Sequence, residues 1–157
     1  MKRRIASYFA LALLAATALW VVVVLPNAQD VQASTAMLAL PICEFIELKG
    51  RMPSDMSELT TLGMVRKLQD GSYECVSLGK TINRINDIHV EWNVNTNSCI
   101  LSQDELIFRP TGEKYFIVRP AHFSLPGEEK AAMNSSVMIY RKLVNSGTSP
   151  DAKTASD

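Results

Sequence analysis

The chain changes its hydrophobic rhythm twice. Ile5 to Leu25 runs 21 residues without a charge. Asp30 to Leu48 then spaces its apolar positions as a helix does: Val31, Leu38, Ile42, Phe45 and Ile46 share one stripe, and Glu44 and Glu47 lie off it. From Ser72 onward the period shortens towards two. Asn86 to Val94 alternates, with Ile88, Val90, Trp92 and Val94 on one face and Asp87, His89, Glu91 and Asn93 on the other.

Each rhythm predicts an element. At about 1.5 Å per residue, some 20 helical residues cross a hydrocarbon core of roughly 30 Å, so the first run is long enough to span a membrane. Trp20 stands near its end, where an indole suits the interface. The second run predicts a helix continuing outward. Pro41 inside it predicts either a kink or the first residue of a new helix. Gly50 is placed for a left-handed cap. Asp55 and Glu58 have capping-box spacing for a short helix with Leu59 and Leu62 inward and Gly63 closing it. Asp70-Gly71 reads as a turn.

Tyr73 to Leu78 and Asn86 to Val94 are predicted strands. Leu106–Arg109 and Lys114–Arg119 flank Pro110-Thr111-Gly112-Glu113 and predict a hairpin. Ala121 to Asn134 reads as a looser stretch, and Val137 to Leu143 as a closing strand. Residues 146–157 are small and polar, and are expected to be disordered. Helices followed by strands predict an α+β fold: an N-terminal membrane helix continuing into a helix packed on a small antiparallel sheet of four or five strands.

Charge sets the orientation. Lys2, Arg3 and Arg4 precede the apolar run, and positive residues stay on the cytoplasmic side. Residues 1–4 are then a cytoplasmic tip, 5–25 a transmembrane helix, 26–145 an extracytoplasmic domain and 146–157 a tail. In a bacterium this is a single-pass inner-membrane protein with its domain in the periplasm and envelope proteins as partners. A cleaved signal peptide is the competing reading, because Val31-Gln32-Ala33 before Ser34 fits a small-x-small site. It would release a secreted or periplasmic ligand-binding module. Beyond the first four residues, 13 of the 16 basic residues face all 16 acidic ones. That balance, without a basic stripe, argues against nucleic-acid binding.

Export would place Cys43, Cys75 and Cys99 in an oxidising compartment. Cys75 and Cys99 both fall in the strand-rich half and are the expected disulfide, worth roughly 3 kcal/mol for a loop of about 25 residues. Cys43 is then the odd thiol, read as a buried small apolar residue.

The order of elements resembles the type IV pilin and pseudopilin family. So does the text Ile46-Glu47-Leu48-Lys49-Gly50-Arg51-Met52-Pro53 followed by Leu59 and Gly63, which looks like the end of the pseudopilin spine helix and the loop after it. The family's peptidase site, a Gly, an aromatic residue and Thr-Leu-x-Glu, does not occur in Arg3-Arg4-Ile5-Ala6-Ser7. The apolar segment carries no glutamate. The resemblance therefore implies a pilin-like fold on a plain membrane anchor, serving a secretion or pilus assembly as an accessory component.

Candidate chemistry is sparse. Asp87, His89 and Glu91 on one strand face are a candidate metal set for a metal-dependent enzyme, although a solvated outer strand face is the plainer reading. His122 stands alone after Pro120. There is no Gly-x-Ser-x-Gly and no glycine-rich phosphate loop, and the cysteine spacings match no zinc pattern. Asn134-Ser135-Ser136 is a glycosylation sequon. Arg109 and Arg119 at the hairpin ends can clamp an anion, or simply guard strand edges. No catalytic residue and no cofactor is assigned, and protein–protein interaction is the expected role.

Overall fold

The computed structural model describes residues 2–94, 96, 99–102, 105–108, 116–122 and 125–146. The expected tail beyond 146, the Pro110–Glu113 turn and Arg109 lie outside these residues.

One helical rod dominates. It runs as α1 (Lys2–Leu19), a π-helical stretch (Trp20–Val24) and α2 (Leu25–Lys49). At 1.5 Å per residue the rod is about 70 Å long. The π stretch has a local cause. Pro26 has no N–H to give the preceding turn, and the ladder widens, with Leu25 N–H bonding Trp20 O. Asn27 Nδ2 donates back to Val23 O at 2.8 Å and covers one loosened carbonyl. Pro41 does not start a new helix; it is buried inside the continuous α2. Gly50 ends the rod in a left-handed cap, φ 69°, with its N–H on Ile46 O.

The two halves of the rod have opposite surroundings. From Tyr8 to Val24 every side chain is exposed. From Ala28 onward α2 buries Val31, Leu38, Ile42, Phe45 and Ile46. This is the stripe expected from the sequence, and it forms the spine of the core.

A short α3 (Met56–Thr61) follows. Asp55 caps it, its Oδ1 accepting from Ser57 N–H at 2.8 Å and Glu58 N–H at 3.1 Å. Glu58 reaches back one residue further than a capping box requires, to Ser54 N–H at 2.7 Å. Strands β1 (Val65–Lys67), β2 (Tyr73–Cys75) and β3 (Lys80–Ile82) make an antiparallel meander. Gly71 turns β1 into β2 at φ 85°, as Asp70-Gly71 predicted. Arg66 and Glu74 are register partners and pair at 2.5 Å across β1 and β2.

The rest departs in detail from the expected strands. Asn86–Val94 is not one strand. A 3-10 turn (Ile85–Asp87) leads into a three-residue β4 (Ile88–Val90). The described strands form two further ladders: β5 (Cys99–Ser102) pairs β6 (Glu105–Phe108), and β4 pairs β7 (Val118–Pro120); the expected hairpin turns through residues 109–115, outside the described residues. β7 pairs with β4, far earlier in the chain, and both lie against the helical core. Among the described residues the strands fall into three small antiparallel sheets.

The largest correction is α4 (Pro126–Asn145). It occupies the stretch read as loose chain and a closing strand. Its buried residues Glu128, Ala132, Ser135, Ser136, Ile139 and Leu143 recur at helical spacing, and α4 packs along α2. The fold is α+β, with α2 and α4 packed side by side and both in contact with the strands. Leu59, Val65, Cys75, Ile82, Ile117 and Val118 complete the core. Each fully buried aliphatic or aromatic side chain contributes about 1.5–3 kcal/mol.

A helix-exit cleft as the candidate functional site

Where the bare half of the rod meets the domain, a cleft of about 280 Å³ opens. One wall is the rod: Val23, Val24, Asn27, Ala28 and Val31. The other is built from the 3-10 turn, the end of β7 and the start of α4, which bring Arg84, Asp87, His122 and Glu128.

Local structure explains each placement. β4 and β7 align so that Ala121 N–H donates to Asp87 O at 2.7 Å, which seats the loop after Pro120 beside the 3-10 turn. Arg84 is held from two sides. Its Nε donates to Asp87 Oδ2 at 2.5 Å and its Nη1 to Asn27 Oδ1 at 2.7 Å, tying the turn to the rod. A guanidinium has five N–H groups in a fixed fork, so these two bonds set its direction and leave others available to further acceptors. Glu128 is 3% exposed, and its Oε2 accepts from Leu125 N–H at 3.1 Å at the start of α4. The carboxylate suits the positive end of the helix dipole. Gly127 lies so close to the rod that a Cβ there would meet Gln32 Nε2 at 2.6 Å, so the first turn of α4 is pressed against α2.

The residues singled out in the sequence do not converge. Asp87 belongs to the 3-10 turn and is engaged by Arg84. His89 is exposed on β4 opposite Arg119. Glu91 follows the strand, its N–H on Ile117 O at 2.8 Å. The single alternating face that would have aligned all three is broken because β4 begins only after Asp87. Among the described residues no group of three or more His, Cys, Asp or Glu can hold a metal ion. Arg119 is the register partner of His89, and Arg109 lies outside the described residues.

The expected Cys75–Cys99 disulfide does not form: Cys75 is a free, fully buried thiol, 3.4 Å from Ser77 Oγ. Register turns Cys75 into the core of the β1–β2–β3 meander, while β5, which carries Cys99, belongs to another ladder. Cys99's side chain is outside the described residues. Cys43 is likewise free and buried. Burial pushes its thiol up to about 11, against the opposing pull of nearby Lys142. Lys142 itself pairs with Glu47 and bridges the far ends of α4 and α2. The sequon serine is also structural. Ser136 Oγ accepts from Ile117 N–H at 2.8 Å and Val118 N–H at 3.3 Å.

Sequence reasoning took His122 alone and passed over Arg84, Asn27 and Glu128. Arg84 and Asn27 are 57 residues apart and meet only through the fold. The Pro126-Gly127-Glu128 start of a helix was the one signal that could have found Glu128.

These features define an α+β domain carried on a single N-terminal helix long and apolar enough to cross a membrane. No protein-family model, no curated protein and no solved structure matches the chain.

Proposed function

We propose that the protein is a single-pass membrane-anchored subunit whose domain, outside the cytoplasm, works by protein–protein interaction in a bacterial envelope assembly of the pilin-like kind. The observation that carries this is the rod with two environments. Its first half exposes Tyr8, Phe9, Leu11, Leu13 and Leu14, each more than 60% accessible, while its second half is the spine of a core. Water penalises such a bare apolar surface and a hydrocarbon core does not.

The same continuity speaks against release after Ala33. A cut there falls inside α2 and removes Ala28 and Val31, both buried in the domain. It would also detach Asn27 from Arg84. For the partner face, Leu62, Val76 and Leu78 near the β1–β2–β3 meander are exposed by 40–45% and give the domain apolar surface of its own. Val76 N–H on Met64 O holds two of these segments together.

The test is the mass and N-terminus of the chain from fractionated cells, followed by crosslinking in intact membranes. An uncleaved chain in the membrane fraction, captured with a larger complex, is expected. A soluble chain beginning at Ser34 would overturn the proposal and favour a free ligand-binding module.

A further inference from the structure

We infer that the helix-exit cleft is a seat for the zwitterionic headgroup of an aminophospholipid, phosphoethanolamine in character. The inference rests on the membrane reading and names the lipid that the domain engages where its helix leaves the bilayer.

Position comes first. The cleft is lined from Val23 and Val24, within the apolar run, up to Val31. From Val24 to Val31 a helix rises about 10 Å. The polar layer on one side of a bilayer is roughly 5–8 Å thick, being half the difference between the full thickness and the hydrocarbon core. A rod seated with its uncharged run in hydrocarbon therefore holds the cleft at headgroup depth, with the valines at the acyl boundary.

Charge selects the ligand. An anion site would gather cations alone, yet this cleft sets Arg84 beside two carboxylates, Asp87 and Glu128, with the His122 ring at its edge. A simple phosphate meets Arg84 there but also both carboxylates. A headgroup carrying both a phosphate and a primary ammonium matches both signs. Arg84 is already aimed by Asp87 and Asn27 and offers remaining N–H groups to a phosphate oxygen. A carboxylate accepts several hydrogen bonds, so Asp87 and Glu128, each already engaged, can also receive an ammonium, which has three N–H donors. A trimethylated ammonium has none, and a glycerol headgroup has no positive charge. A volume of about 280 Å³ accommodates a headgroup of this size while the acyl chains remain outside along Val23 and Val24.

The experiment uses the full chain reconstituted into nanodiscs of mixed phosphatidylethanolamine, phosphatidylcholine and phosphatidylglycerol, with retained lipid counted by native mass spectrometry after detergent release. Phosphatidylethanolamine is expected to be enriched about tenfold over each of the others, the factor that one charge-assisted hydrogen bond supplies. Glu128→Gln keeps a capping side chain at the start of α4 and should abolish the discrimination against phosphatidylglycerol. His122→Ala, at an exposed position, should weaken retention without unfolding the domain. Equal retention of the three lipids by the unaltered chain would overturn the inference, with no variant needed. So would a folded Glu128→Gln protein with unchanged preference. Extraction of native membranes with alkaline carbonate separates the two failures. A chain that stays in the membrane but shows no lipid preference sinks this inference alone. A chain released by carbonate sinks the membrane reading with it.

Discussion

Replacing Ser136 with alanine isolates a hydrogen-bond function that the sequence hides. β7 pairs β4 with Val90 opposite Val118, and the ladder bond on that side runs from Glu91 N–H to Ile117 O. The Val118 N–H therefore points away from β4, towards α4. Ser136 Oγ meets it at 3.3 Å, meets Ile117 N–H at 2.8 Å, and can donate to Val118 O at 3.4 Å. All three residues are fully buried, so no water can substitute at the surface. Each buried donor left without a partner costs about 1–3 kcal/mol, and the weaker 3.3 Å bond belongs at the low end. Alanine's better helix propensity returns a few tenths. The net loss works out at about 2–3 kcal/mol, or roughly 8–15 °C in Tm for a domain of this size. Thermal unfolding in detergent micelles measures it, with exposed Asn134→Ala as a control expected within about 0.5 kcal/mol of the parent. Hydrogen exchange supplies the second readout, because the Ile117 and Val118 amides should lose protection first. A Ser136→Ala protein within about 0.5 kcal/mol of the parent, with those amides still protected, would refute the reasoning.

Other outcomes follow from the same structure. Phe45→Ala should cost about 3–5 kcal/mol by denaturant unfolding, because the ring is 1% exposed at the centre of the core. Cys43, with its thiol pushed up to about 11, should resist iodoacetamide at pH 8 in the folded protein and react once unfolded; rapid native labelling would contradict the burial. Glu58 is held at about 2 by hydrogen bonds from Arg51 and Ser54 N–H. Its folded value is depressed, so the contribution is present above its ordinary 4.5 and is lost as pH falls through about 2. A carboxyl NMR titration of Glu58 should find its midpoint near 2, and one near 4.5 would show that the Arg51 clamp is absent in solution.

The helical half of the fold was legible because its signals are local. The uncharged run, the stripe from Val31 to Ile46, Gly50 as a left-handed stop and Asp55 as a cap each act within a turn or two. α4 was not legible for a definite reason. Two of its buried positions are Ser135 and Ser136, whose polarity erases the apolar period, and the run Val137-Met138-Ile139-Tyr140 looks locally like a strand. Only packing along α2 and the bonds to β7 decide the matter. The pairing of β4 with β7 was not legible either, because the two segments are distant in sequence and meet only through the core. The cleft was invisible because its parts, Asn27, Arg84 and Glu128, come from three distant stretches and carry no motif.

The long interval between α2 and α4 has a consequence for how the molecule is made. The spine helix emerges from the ribosome early, and the helix that covers it is separated from it by residues 50–125. Closing so long a loop is slow compared with forming either helix. During synthesis, α2 must therefore wait with its apolar face open, in the interval when chaperones and proteases sample nascent chains. Anchorage of the preceding segment would confine that waiting intermediate to one plane and orientation. Changes that slow the docking of α4 should consequently appear as reduced yield in cells before they appear as altered behaviour of the finished protein.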